Sequence, residues 1–579
     1  MRVNFTVLIY LSICLGISIP FNLTIIQLLF TEDGIPAGAD SAFHTFAIMK
    51  ILDSGNPLIS YTAFPPLSQN SSSFYPSLMH TMIASIAVVF AVNDPATVLS
   101  IEKLFMLAVS LLGTIGYALL IKNILYTAIM SRMLNAKYLF YNSRIRILFL
   151  ITSVLAFGIF IYSIAPVIKT FNDGTYSQLT AMWLFFPYYM TLLINGRWII
   201  CAIVLAIIAS IHNLSFLMTL AATVPYLISS YLQGTRTIRI KLLKSIVIFG
   251  VLALPALIFF YLPSTFYVLR GDAAESVYSP WPQHELIQQI TPGLYYVGSI
   301  CIALVMIINY RKLGWITGWA LIYLLVFALS SELGARFGRE LSVVFGLSTG
   351  LSVAYILFMY FTTGKRFITP GRFDIANTPR SSGMIILFLF ITLGLLTTSY
   401  LYFENRIYGE SNPNVVKYFT DAFNRSNEYF LTLSDESSNS SFSDHGKKVI
   451  VLFGENPWLK VSAYEKYDVL SVQPDKDGSI GEGDRQINSE LFRIVSNSTE
   501  DSTACVIENY KVDYVYISDL ISDRWYPAES EVYHKSLNLF QNDSLSPFFI
   551  LEAEFFGNND EHLRIYSIVK KNVSEACER

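Results

Sequence analysis

Leu78-Met79-His80-Thr81-Met82-Ile83-Ala84-Ser85-Ile86-Ala87-Val88-Val89-Phe90-Ala91-Val92 is apolar throughout, yet at about fifteen residues it falls short of the roughly 20 that a helix needs to cross the hydrocarbon core. Its reading decides the topology of the whole chain. Counted as a span, it would place the segment from Lys122 to Arg146 on the outer face. That segment holds Lys122, Arg132, Lys137, Arg144 and Arg146 and no acid, so the placement would break the positive-inside rule. Read instead as a juxtamembrane or re-entrant helix on the outer side, opened by Pro76 at a first-turn position, it removes the conflict. The other basic segments, Arg236 to Lys244, Arg311-Lys312 and Lys365 to Arg380, then fall on the cytoplasmic side as well.

Working outward, apolar runs of spanning length recur up to Tyr402 and stop there. They are expected at about 3–30, 97–121, 147–166, 178–194, 197–211, 214–232, 245–262, 293–309, 314–330, 341–362 and 383–402, about eleven helices in all. Composition agrees: of 579 residues 53% are hydrophobic and 14% charged, and the mean hydropathy of +0.47 demands lipid contact. The expected class is an α-helical polytopic membrane protein with a small extracytoplasmic α/β domain at its C-terminal end. The boundaries fall at 1–403 for the membrane domain, with a long outer loop 31–75 and the juxtamembrane helix 76–92. A polar linker 404–444 and the α/β domain 445–579 follow. The first apolar stretch, Val3 to Phe30, is too long for a signal-peptide core and reads as a retained helix with Arg2 holding the N-terminus in the cytoplasm.

The segments facing away from the cytoplasm are then Thr31 to Tyr75, Phe171 to Ser177, Ser264 to Thr291 and everything after Phe403. They contain the sequons at Asn70, Asn424, Asn439, Asn497, Asn542 and Asn572. A net charge of -3 and the absence of a basic patch give no reason to expect nucleic acid as a partner. Cys14, Cys201 and Cys301 lie in apolar runs. Cys505 and Cys577 lie in the soluble tail, where either a disulfide or two free thiols fits the sequence. The tail offers Val449 to Gly454, Val512 to Ser518, Phe548 to Phe556 and Leu563 to Val569 as strands, and carries neither a phosphate-binding glycine loop nor a nucleophile elbow.

The first outer loop is where polar groups concentrate. After turns at Asp33-Gly34 and Pro36 to Gly38, Ser41 to Leu52 reads as a helix with Asp40 at its N-cap and His44 four residues on. One reading makes Asp40 only a cap. The other makes it a catalytic carboxylate, with Glu32, Asp33 and His44 converging on one outer pocket.

Asp40-Ser41-Ala42-Phe43-His44 resembles the Asp-x-x-aromatic-His signature that follows the first span of oligosaccharyltransferase catalytic subunits. Phe74-Tyr75-Pro76-Ser77-Leu78-Met79-His80 is similar to the segment that opens the juxtamembrane helix of protein mannosyltransferases and aminoarabinose transferases. Both point to membrane glycosyltransferases of the GT-C type, over residues 1–125 by motif and beyond by layout. No Trp-Trp-Asp-Tyr-Gly motif occurs in the tail, which argues against an oligosaccharyltransferase proper.

The resemblance implies a sugar donor on a polyprenyl phosphate and a glycan, lipid or protein acceptor at the plasma membrane. It implies Asp40 as the first choice of base, with Asp33, Glu32 and His44 beside it, and Tyr75 and His80 on the substrate side. A divalent cation, magnesium or manganese, is an option, with Asp33 and Asp40 as its ligands. Arg336 and Arg339, in a short outer segment that breaks the positive-inside trend, suit a departing lipid phosphate; pairing with Glu332 and Glu340 is the alternative. A transporter or lipid flippase, and a non-catalytic membrane scaffold, are the rival classes.

Overall fold

The computed structural model describes residues 5–30, 39–55, 78–130, 143–164, 167–168, 171, 174–234, 236–256, 292–329, 331–363, 422, 425–430, 447–453, 458–462, 467–472, 482–496, 500–518, 547–557 and 562–578. They fall into two compact units. One holds the helices of residues 1–36, 103–258 and 280–412; the other groups residues 37–102 and 259–279 with 413–579.

In the first unit, residues 3–30 are not one straight span. They form two helices, Phe5–Ile17 (α1) and Ile19–Leu29 (α2), bent by 56°. Pro20, in the first turn of α2, has no N–H to return to the carbonyl four residues before it, which breaks the ladder. Asn22 repairs the polarity inside the protein. Its Nδ2 donates to the Ser18 carbonyl at 3.0 Å and to Ser18 Oγ at 3.1 Å, and its Oδ1 accepts from Ser110 Oγ at 2.7 Å.

Next come Ala39–Ser54 (α3) and Leu78–Val89 (α4), both of the second unit, and then Pro95–Met130 (α5). Asp94 caps α5, accepting from the Thr97 backbone N–H at 2.8 Å, with Pro95 at the first helical position. The remaining helices of the first unit are Ser143–Ser163 (α6), Tyr176–Leu179 (α7), Phe186–Ile194 (α8), Trp198–Ile211 (α9), Asn213–Gln233 (α10), Arg236–Ala256 (α11), Pro292–Leu329 (α12) and Ser331–Thr363 (α13). Between α7 and α8 the chain is π-helical over Thr180–Phe185, just ahead of Pro187, whose missing N–H forbids a regular turn there. The Met182 carbonyl instead accepts from Tyr117 Oη at 3.0 Å.

Small residues let the helices close. A Cβ on Gly113 would stand 2.3 Å from the Trp183 ring, and one on Gly350 2.4 Å from the Ala156 carbonyl oxygen. α12 is one helical run by backbone, but it is not straight. In a straight helix Thr317 and Ile302 would be about 22 Å apart, yet Thr317 Oγ1 donates to the Ile302 carbonyl at 3.2 Å. The run therefore folds back between them.

Among the described residues four helices are individually long and apolar enough to cross a membrane: Pro95–Met130, Ser143–Ser163, Leu214–Gln233 and Glu340–Thr362. Counting the bent α1–α2 pair makes five. The chain is thus a multi-pass, mostly helical membrane protein. The expected span at 383–402 lies outside the described residues. α4 has 12 residues, about 18 Å of helix, too short to cross alone.

The second unit carries a five-stranded sheet of order β2-β1-β3-β5-β4. Lys448–Phe453 (β1), Tyr467–Val472 (β2) and Val512–Ser518 (β3) run parallel, with Leu459–Ser462 (α14), Glu482–Ser496 (α15) and Asp501–Asn509 (α16) in the connections. Phe549–Phe556 (β4) and His562–Ile568 (β5) complete it antiparallel, and Lys570–Cys577 (α17) follows β5. Strict alternation sorts the side chains. Val451, Phe453, Val515 and Ile517 face the core shared with Leu491, Ile494, Ile507 and Val573 of the helices. Ile450, Leu452 and Tyr516 face a second core with Phe430 and Leu459. Cys505 of α16 and Cys577 of α17 are joined in a disulfide, which resolves the alternatives the sequence left open.

Candidate active site

α3 begins at Ala39, two residues earlier than its hydrophobic pattern indicated. Asp40 is therefore a first-turn residue and not the N-cap. A carboxylate there is still favoured by the exposed amides and the positive end of the helix dipole. His44 follows about one turn later, on the same face of the helix. Its side chain is buried at 3% exposure, and its Nδ1 lies 2.8 Å from Nε2 of His80, which is fully buried on α4. The two rings stack with centroids 5.0 Å apart, and Phe43 packs edge-on against both.

Burial first, and the neighbouring His44 second, hold the His80 imidazole neutral well below its ordinary range. Beside the pair, Thr45 Oγ1 donates to Glu102 Oε2 at 2.6 Å, fixing α3 against the first turns of α5. Two motifs that are far apart in the sequence, Asp-x-x-aromatic-His and the segment closing on Leu78-Met79-His80, thus meet in one buried polar cluster.

The other expected site residues divide as follows. Glu32, Asp33 and Tyr75 lie outside the described residues. Arg336 and Arg339, expected in a loop, lie in the first turns of α13, in the other unit. The stretch has no proline, and Glu332, Arg336 and Glu340 follow at four-residue spacing, a pattern that favours helix once polarity is not taken to mean loop. Immediately after Arg339, buried Glu340 accepts a hydrogen bond from Gln178 Nε2 of α7 at 3.1 Å. His212 caps α10 through its Nδ1, which accepts from the Ser215 N–H at 3.2 Å, a structural role.

Sequence reading missed Glu102 and Gln178 as polar centres. An ionisable side chain inside an apolar run is a functional signal by default, and it would have flagged Glu102. Among the described residues no three His, Cys, Asp or Glu side chains converge to hold a metal ion.

This architecture, a bundle of apolar helices followed by a small sheet domain, has counterparts among solved structures. It is similar to the oligosaccharyltransferase of Archaeoglobus fulgidus, in a structure tethered with an acceptor peptide containing the NVT sequon via a disulfide bond. The TM-score is 0.50 at 13% identity, covering 96% of this chain and 74% of that one. ArnT from Cupriavidus metallidurans in the apo state superposes with a TM-score of 0.49 at 11% identity, over 91% of this chain and 93% of that one. No protein-family profile and no curated protein sequence matches the chain.

Proposed function

We propose that the chain is a membrane glycosyltransferase that moves a sugar from a polyprenyl-phosphate donor to an acceptor on the outer face of the plasma membrane. The observation that carries this reading is the meeting of His44 and His80, because it joins the two motifs of glycosyltransferase type in one buried site. The likeness in fold to the oligosaccharyltransferase of Archaeoglobus fulgidus supports it independently.

In this reading the membrane domain covers 1–403 with about eleven spans, the linker 404–444, and the α/β domain 445–579 lies outside the cytoplasm. The Cys505–Cys577 bridge supports that placement, since such bonds persist in oxidising compartments. The acceptor is a glycan, lipid or protein group bearing a proton. Asp40 takes that proton as the acceptor atom bonds to the anomeric carbon, and the bond from that carbon to the phosphate oxygen breaks. Arg336 and Arg339 hold the charge gained by the lipid phosphate, while Tyr75 and His80 line the substrate side. Glu32 and Asp33 position the acceptor. If a divalent cation takes part, Asp33 and Asp40 would hold it, and it would supply charge stabilisation.

The test is turnover of radiolabelled polyprenyl-phosphate sugars by the purified protein in lipid, wild type against Asp40→Asn. Loss of turnover in a variant that folds and inserts normally supports Asp40 as base. Equal turnover moves that role to Asp33 or Glu32, and no binding of any such lipid favours a transporter or scaffold.

A further inference from the structure

In β4 the side chains alternate as a strand requires until the register slips between Leu551 and Ala553. Phe549 packs with the core on the face shared with α15, α16 and α17, whereas Ala553 and Phe555 pack against the core on the opposite face. In a regular strand these three odd-numbered positions would share one face. The bulge therefore turns Glu554 and Phe556 onto the face of Phe549, which is how bulges re-aim side chains. There Glu554 stands directly opposite Arg564 of β5, and Phe556 directly opposite His562. Arg564 in turn pairs with Ile517, so the four side chains form a two-by-two array near the carboxyl end of β3. That end of an α/β sheet is where ligands bind.

The polar members of the array fix one another. Arg564 Nε donates to Glu554 Oε1 at 2.9 Å, His562 Nε2 donates to the same oxygen, and Arg564 Nη2 donates to His562 Nδ1. The Arg564 hydrogen bond first, and that of His562 second, hold the Glu554 carboxyl below the usual carboxylate range. The His562 ring stacks on Phe556, with centroids 4.4 Å apart and planes 19° from parallel. What the array leaves open is specific. Phe556 is 61% exposed, with one ring face on His562 and the other outward. The Glu554 side chain is 34% exposed, and among the described residues only its Oε1 is engaged, so Oε2 can accept from outside. Arg564 Nη1 is enclosed without a hydrogen-bond partner.

We propose that this face of the β4–β5 pair binds a saccharide unit, with a sugar ring lying on Phe556 and a hydroxyl donating to Glu554 Oε2. The charge balance selects that class. Glu554 and Arg564 cancel, so neither a small anion nor a cation gains from the pair as a whole. A neutral hydroxyl gains a bond to an ionised acceptor. The C–H face of a sugar carries small positive charge and meets the negative face of an aromatic ring. An extended peptide would instead add along the strand edge through its backbone. A cross-strand ion pair kept for stability alone would contribute little at this exposure, and it would need neither the bulge nor an open aromatic ring. The site uses none of the residues proposed for the transfer and goes beyond that reading.

The experiment is saturation-transfer NMR on the full chain in lipid nanodiscs free of sugar-based detergent. The probes are the methyl glycosides of glucose, mannose, galactose and N-acetylglucosamine, and thermal melting confirms that each variant folds. The expected result is transfer to the C–H protons on one face of at least one glycoside. Phe556→Ala, at an exposed position, should weaken that binding by roughly tenfold or more, whereas Phe556→Tyr keeps the ring and should retain it. Glu554→Gln should weaken it by roughly tenfold, because the acceptor loses its charge. No transfer to any glycoside in wild type overturns the proposal. So does equal transfer in wild type and Phe556→Ala, which would place the sugar elsewhere on the chain. Because binding is read through Phe556, absence of glycosyl transfer by the wild-type chain leaves this site standing, and loss of this site leaves the transfer reading standing.

Discussion

His44 Nδ1 and His80 Nε2 stand 2.8 Å apart although they are 36 residues apart in the chain, so the bond ties α3 to α4. This has a consequence for stability against pH. Unfolded, His80 titrates near 6.5; folded, its burial and His44 keep it neutral far below that value. Below 6.5 the unfolded state therefore binds the extra proton, so stability is fully present above that pH and is lost as pH falls toward the folded pKa. The slope approaches about 1.4 kcal/mol per pH unit. Unfolding midpoints at pH 7.5 and 5.5 should separate in wild type and draw together in His80→Phe. A wild-type midpoint that does not move over this interval would contradict the burial argument.

Arg336 and Arg339 sit on helical backbone, so each has a fixed base from which to reach a phosphate. In the proposed reaction Arg336→Ala or Arg339→Ala weakens binding of polyprenyl phosphate by roughly tenfold or more, the worth of a hydrogen bond to a charged group. Replacement by lysine restores charge without the two-pronged geometry and recovers only part of the affinity. Equilibrium binding of labelled lipid phosphate to the purified variants is the measurement, and unchanged affinity in both alanine variants removes these residues from the site.

Glu340 is only 7% exposed, and Gln178 Nε2 donates to it from another helix. Removing the donor while keeping the buried carboxylate costs about 1–3 kcal/mol, so Gln178→Ala should lower the melting temperature in detergent. Gln178→Leu combined with Glu340→Leu should recover part of the loss, because it removes both polar groups together. A strictly additive double variant would show that the two side chains are not coupled.

Much of this architecture can be read from single residues. The apolar runs mark the helices because lipid requires them, and the short unbroken apolar run Val449 to Phe453 marks a buried strand whose two faces meet two cores. His44 and His80 stand out through their motifs. Other features depend on partners that only folding supplies. The bend at Ser18 follows from Pro20, but its tolerance depends on Asn22 meeting Ser110 across 88 positions. β2 escaped because Asp468 and Ser471 interrupt its apolar residues, although pairing with β1 leaves Tyr467 and Val472 buried. Glu102 was hidden in an apolar helix, and only its contact with Thr45 shows what it anchors.

The Cys505–Cys577 bridge makes the final prediction, which bears on stability and orientation together. It closes a loop of 72 residues between α16 and α17, packed on one face of the sheet. The loss of loop entropy in the unfolded chain is worth about 4 kcal/mol in the chain-entropy account, so Cys505→Ser should lower the domain's unfolding midpoint substantially. Cys14, Cys201 and Cys301 are buried. In intact cells a membrane-impermeant maleimide should therefore leave the wild-type chain unlabelled, and should label it after treatment with an impermeant reductant. That result would place the sheet domain outside the cytoplasm, because neither reagent crosses the membrane. Labelling seen only after the cells are opened would instead put the domain inside, and with it would fall the outward-facing site proposed for the transfer.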